Sequence, residues 1–244
     1  MKHNYKIIYD INKDMWNWRG ALSDFRMGYD WFNNIDNDQD RKIAKQIIGL
    51  KKNQAELTLR PHLKSKKENP KSNLNQFISI AESEFKAKFN KACLILESIT
   101  KKPMTSDKFI FYVTTFPRMT CFYDKHIIYL YNSTEGVWGM PIDGFLHEGL
   151  HFQFEHYWRN NADSPVSKLS DEDYFNLKEA LTVILDESLK PTITLPDESY
   201  PELAYLRNPL HEFWKKYHNF NKLVEYGLKN LSKNSKSSNR DRHA

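Results

Sequence analysis

The sequence predicts an α+β fold: helices first, then a small, mainly antiparallel sheet, then helices again. Three observations carry this. Before Lys108, apolar residues recur at three- and four-residue steps. From Lys108 to Tyr131, β-branched and aromatic residues run together, with a turn signal inside the run. After Pro141 the helical period returns.

The opening residues carry Trp16, Trp18, Phe25, Tyr29, Trp31 and Phe32, and read as short helices that cap the fold. From Gln39 to Leu59, Ile43, Ile47, Leu50 and Leu57 stand among charges, the spacing of one amphipathic helix. Arg60-Pro61 to Ser72 is polar and holds two prolines, so it reads as a loop. Asn75–Ile99 places Phe77, Ile80, Ala81, Phe85, Phe89, Cys93 and Leu96 on a helical stripe. Phe109–Thr114 is strand-like. Thr120–Tyr123 and His126–Tyr131 form two more strands, joined by a tight turn at Asp124-Lys125. Pro141 suits the first turn of a helix, where its missing N–H costs nothing, and that helix runs to Arg159. Ser170-Asp171-Glu172-Asp173 announces the next with a capping pattern and first-turn acids; it ends near Lys190-Pro191. A last helix spans Pro201 to Leu231, with a break expected at Pro209. The domain reading is a helical region 1–107, a catalytic region 108–231 packed with it as one unit, and a disordered basic tail 232–244.

With 40% hydrophobic and 14% aromatic residues in 244, the chain can bury a sizeable core. No apolar run reaches the roughly 18 residues of a membrane span, and the first residues lack a signal peptide's apolar stretch. The expected location is the cytoplasm, with no membrane partner. Cys93 and Cys121 are then free thiols, and the sequon Asn132-Ser133-Thr134 stays unmodified. The net charge of +5 is uneven: Arg41–Lys71 holds ten Lys/Arg against two Glu, a balance of +8, and 229–244 a balance of +4, leaving −7 elsewhere. The basic segment 41–71 admits a nucleic-acid partner, but it lacks the interleaved aromatics of a stacking surface, so a solvated helix face is the better reading.

The chemistry-bearing pattern is His147-Glu148-Gly149-Leu150-His151. On a helix, residues four apart lie about 40° apart around the axis and about 6 Å along it, so both imidazoles can reach one tetrahedral ion. Glu148 points roughly 80° from their mean direction, beside the ion, where a carboxylate can accept a proton from water activated there. Leu146, Leu150, Phe154 and Tyr157 form the stripe that buries the opposite side. A catalytic zinc site needs a third protein ligand and one open position. The extended pattern H-E-x-x-H-x-x-G-x-x-H is excluded, because Phe154 and Tyr157 stand where its glycine and third histidine belong. The other source is a carboxylate on the following helix. Glu179 is the candidate, on a face shared with Glu172 and Asp186 and opposite Leu177, Leu181, Ile184 and Leu185. An ordinary solvated acidic face is the competing reading. Glu187 is the reserve ligand, and Glu155 lies about 12 Å from His147, too far to share the ion with both histidines. Asp186 is a candidate acceptor for orienting a ligand histidine. Tyr157, Tyr200, Tyr205 and His211 are positional candidates for stabilising an oxyanion.

His147-Glu148-x-x-His151 with a glutamate on the next helix resembles the gluzincin branch of the zincin metallopeptidases. The strings His-Glu-Gly-Leu-His-Phe and Lys-Glu-Ala-Leu-Thr-Val are similar to small prokaryotic zincin-like proteins, over about Phe109 to Leu189. The resemblance implies a zincin-like fold and a Zn2+ cofactor held by His147, His151 and Glu179. It further implies Glu148 as the base and a peptide or protein substrate. The family's acidic residue four positions after the third ligand is absent, since Val183 stands there. By analogy, substrate would lie along an edge strand, His126–Tyr131. The leading expectation is a zinc-dependent hydrolase of peptide bonds. The alternatives are a non-catalytic zinc-stabilised module and a nucleic-acid-associated zincin.

Overall fold

The computed structural model describes residues 3–23, 31–133, 139–185 and 200–238, the side chains of 232–238 excepted. Its sheet has four strands: β1 (Asn4–Ile8), β2 (Lys108–Thr114), β3 (Thr120–Phe122) and β4 (Ile127–Tyr131), in the order β1-β2-β4-β3. The expected α+β class holds, but the sheet is mostly parallel rather than mainly antiparallel. β1 pairs with β2 in parallel, β2 with β4 in parallel, and only β3 with β4 is antiparallel. The local hairpin was legible because its turn is local: a 3₁₀ turn at Tyr123–Lys125 and His126 at φ 50° reverse the chain. The other pairings join residues distant in sequence. β1 stands where the sequence predicts a short helix, and its ladder runs from Asn4↔Lys108 to Ile8↔Tyr112. A second correction follows: β4 lies between β2 and β3, so the segment expected as an edge strand is interior.

Among the described residues there are eight α-helices: α1 (Ile11–Ser23), α2 (Asp38–Ile47), α3 (Lys52–Glu68), α4 (Asn73–Thr100), α5 (Pro141–Phe154), α6 (Asp171–Ala180), α7 (Ala204–Tyr217) and α8 (Phe220–Ser238). The single helix expected over 39–59 is two, parted after Ile47 around Gly49 at φ +78°, a conformation only glycine adopts without strain. The segment read as a loop from Arg60 is instead helical to Glu68, with Pro61 inside it. Pro61 is exposed and so is Leu57, whose carbonyl the proline deprives of its partner, so the loss falls on the solvent side of the helix. Pro209 likewise sits within α7, and the break falls at His218, at φ 43°. α8 runs to Ser238, into the segment read as a tail. Residues 239–244, the helix end near Lys190-Pro191, Phe25, Tyr29 and Thr134 lie outside the described residues. Among the described residues, no helix is long and apolar enough to cross a membrane. Cys93 and Cys121 form no disulfide.

The chain divides into two compact units, each built from two stretches: 1–88 with 108–144, and 89–107 with 145–244. In the first, Met15, Trp18, Leu22, Ile47, Leu59, Leu63 and Phe116 share one core. Asp14 on α1 is fully buried there and tied to the end of β2: its carboxylate accepts from Thr114 Oγ1 (2.7 Å), Thr115 N (3.0 Å) and Thr115 Oγ1 (2.8 Å). Trp18 Nε1 donates to the same Thr115 hydroxyl at 2.9 Å. These bonds tie α1 to the end of β2. Glu84 of α4 accepts from Ile142 N at 3.1 Å, placing a carboxylate at the N-terminus of α5, where the helix has orphan N–H groups and positive potential.

A third buried cluster gives the unit a pH signature. Asp40 meets His62 Nε2 at 2.7 Å and Lys66 Nζ at 2.5 Å. Burial alone would raise its carboxyl, but His62 and Lys66 outweigh that and hold it below the ordinary value. A depressed carboxyl contributes stability that is fully present above the unfolded value, about 3.9. That contribution is lost as pH falls through the lower folded value. Asp40→Asn should therefore be less stable than wild type at pH 6 and lose little more towards pH 3, whereas wild type loses this contribution. Urea midpoints at the two pH values measure it; equal pH dependence in both proteins would count against the cluster.

In the second unit, Phe89 packs on Phe145 at 4.7 Å between ring centroids. Gln153, fully buried on α5, accepts from Thr100 Oγ1 at 3.1 Å and donates to Lys102 O at 2.9 Å. α5 continues as a π-turn, Glu155–Arg159, as the sequence predicts in extent. Arg159 then donates to Val166 O (3.2 Å), Leu169 O (2.8 Å) and Asp171 Oδ1 (2.9 Å), so one guanidinium fixes the connection into α6. Ser170 caps α6 as expected, accepting from Asp173 N at 3.1 Å.

Candidate metal centre

His147 and His151 lie on α5 with their rings 4.4 Å apart between centroids. The motif's Gly149 has a packing role: a Cβ there would stand 2.6 Å from Leu96 Cδ1, so a larger residue would push the buried Leu96 side chain aside. Leu146, Leu150 and Phe154 are buried, as the stripe predicts. The histidine side is buried as well: His151 is 1% exposed and Glu148 6%, while the His147 side chain keeps 18%. Of the three, His147 is thus the one that reaches solvent.

Glu179 on α6 comes to the same place. Its Oε2 is 3.4 Å from His147 Nε2 and 3.6 Å from His151 Nε2. It is 3% exposed, which overturns the reading of this segment as a solvated acidic face. Leu177 and Ala180 to Leu185 are also buried, so the end of α6 and the turn after it are enclosed on nearly every side. Its backbone is pinned too. The Glu179 carbonyl accepts from Thr182 Oγ1 at 2.7 Å and from Arg207 Nη1 of α7 at 3.2 Å. A helix C-terminus leaves such carbonyls without partners, and a guanidinium there also meets the negative end of the dipole. On the side chain, Oε1 is held by Lys178 Nζ at 2.8 Å. Sequence reasoning missed Lys178, Thr182 and Arg207. Lys178 is adjacent to the candidate ligand, which was the available signal; Arg207 comes from another helix and had none.

The acids separate cleanly. Donor atoms of His147, Glu148 and His151 lie within 4.8 Å of one another, so this trio alone could also gather a cation. Glu148 Oε2, however, approaches His151 from the Nδ1 side at 3.6 Å, away from the Nε2 that faces Glu179. Both Nε2 atoms converge on Glu179, and Glu148 stands beside them. Glu155 is engaged elsewhere, accepting the Tyr174 hydroxyl. Glu172 is exposed in the first turn of α6. Asp186 and Glu187 lie outside the described residues. Of the oxyanion candidates, Tyr157 faces the Lys102 ammonium (5.5 Å), Tyr200 packs on Phe175 (5.4 Å), and Tyr205 lies near Asp173 and Glu172 at the far end of α6. His211 lies on α7, one turn beyond Arg207.

The electrostatics follow from burial against pairing. Burial alone would raise the Glu148 carboxyl, but His151, His147 and Lys178 outweigh it and hold it at about 2. Glu179 is likewise raised by burial yet carried well below the carboxylate range by Lys178 and both histidines. Burial pushes the His151 imidazole below its ordinary value and Lys178 adds to this, against the pull of Glu179. The site thus favours anionic carboxylates and a neutral His151, the protonation states of metal ligands.

Whether these residues fit a metal can be tested on their spare atoms. On the side where the donors converge, His151 Nε2 and Glu179 Oε2 are buried and make no hydrogen bond. Leaving such atoms unpaired costs about 1–3 kcal/mol each. With bonds of about 2.0–2.1 Å to a tetrahedral zinc, donor atoms stand about 3.3–3.4 Å apart. The Nε2–Oε2 distances of 3.4 and 3.6 Å match two edges of such a shell, so these donors suit a metal ion. No protein-family model, no curated protein and no solved structure matches the chain.

Proposed function

We propose that this chain is a zinc-dependent hydrolase of peptide bonds, of the gluzincin type. The observation that carries it is the convergence of two imidazole Nε2 atoms and one carboxylate oxygen, with His151 Nε2 and Glu179 Oε2 buried and without a hydrogen bond. His147, His151 and Glu179 would hold the ion. Zinc bound there would polarise a scissile carbonyl and lower the pKa of water beside it. Glu148 is ionised, buried and adjacent, so its carboxylate takes the proton from the attacking water and delivers it to the leaving amine. The burial of His151, Glu148 and Glu179 keeps bulk water from screening these charges. Substrate is reached from the partly exposed His147 side.

The test is metal content joined to turnover. Purified protein should carry about one zinc per chain and cleave members of a degenerate peptide library. A chelator should abolish cleavage, and added zinc should restore it. Zinc-loaded protein that cleaves no library member would refute the hydrolase and leave a zinc-stabilised module.

A further inference from the structure

We propose that Lys178 is a positioning residue that makes Glu179 a one-oxygen ligand and so keeps the centre's fourth position open; this rests on the zinc reading above. Neighbouring residues on a helix diverge by about 100°, so an ion pair between positions i and i+1 is not the default. Here the Lys178 chain folds across to bring Nζ within 2.8 Å of Glu179 Oε1, with only 12% of its side chain exposed. The ring of Phe175, one turn earlier, faces the same ammonium at 5.3 Å. A cation buried beside a cation site opposes metal binding unless it does something for the ligands. The two oxygens show what it does: Oε1 is engaged by Lys178, and Oε2 faces both Nε2 atoms.

With one carboxylate oxygen and two imidazoles, the protein supplies three donors, and catalysis needs the fourth place free for water and substrate. A carboxylate with both oxygens available could chelate and fill it. Thr182 and Arg207 hold the Glu179 carbonyl, so a main-chain shift to compensate would cost two hydrogen bonds. Lys178 therefore decides how the carboxylate presents itself.

Cobalt(II) replacing zinc in the full chain reads this directly, since four-coordinate cobalt absorbs visible light several-fold more strongly than five- or six-coordinate cobalt. Wild type and Lys178→Arg should both show the intense band. Lys178→Met should keep about one cobalt per chain but lose most of that intensity, an effect a merely structural lysine would not produce. An unchanged band in Lys178→Met overturns the proposal. If Lys178→Met does not fold, a crystal structure of zinc-loaded wild type decides: Oε2 alone on the metal with Oε1 on Nζ supports it, and a chelating Glu179 or a displaced Lys178 overturns it. Wild type that takes up neither metal refutes the centre itself, and this role with it.

Discussion

Glu179→Ala should weaken zinc binding at least a hundredfold, about 3 kcal/mol, while Glu172→Ala leaves it unchanged. The difference lies in position on one helix. Glu179 Oε2 stands 3.4 and 3.6 Å from the two Nε2 atoms. Glu172 is seven residues earlier, about 10 Å along the axis, and exposed. Removing Glu179 takes away the third donor and the carboxylate nearest to Lys178, whose side chain is 12% exposed. Competition against a zinc indicator dye gives both affinities. Equal affinities in the two variants would show that another group completes the shell. The fold should persist in both, because the Glu179 carbonyl, not its side chain, carries the bonds from Thr182 and Arg207.

Glu148→Gln should retain zinc and the fold yet lose about 10²–10⁴ in turnover, the usual contribution of a positioned general base. The amide matches the carboxylate in shape, so the packing of a residue only 6% exposed is kept. It cannot accept the proton. It also cannot mimic a charged ligand, which separates two roles for the same residue. If Glu148 instead belonged to the metal shell, as its closeness to His147 and His151 would allow, the variant would lose zinc along with activity. Zinc content and peptide cleavage measured on one preparation distinguish the cases. A variant that cleaves as fast as wild type would remove Glu148 from the chemistry.

The local pattern was enough for much of this. His147 and His151 four apart on a helix fix their mutual reach by helix geometry alone. The cap at Ser170, the hairpin turn before β4 and the long α4 stripe are likewise short-range, set by neighbours within a few residues. For this reason the α+β class, the motif helix and Glu179 as a candidate could be read from the sequence, though not the strand that opens the chain.

What the chain alone left open depended on residues brought together from far apart. Strand direction was decided by β1 pairing with a segment about a hundred residues later, and no local signal encodes that. Whether Glu179 faced solvent or the histidines turned on how the end of α6 is enclosed, with Leu177 and Leu181 through Leu185 buried around it. Arg207 reaches Glu179 from α7, and the adjacent Lys178 folds onto it only within that enclosure. The sequence by itself determined that His147 and His151 share one helix face, because helical spacing is a local property. Only the tertiary structure decided which carboxylate meets the imidazoles, because burial and pairing arise from packing.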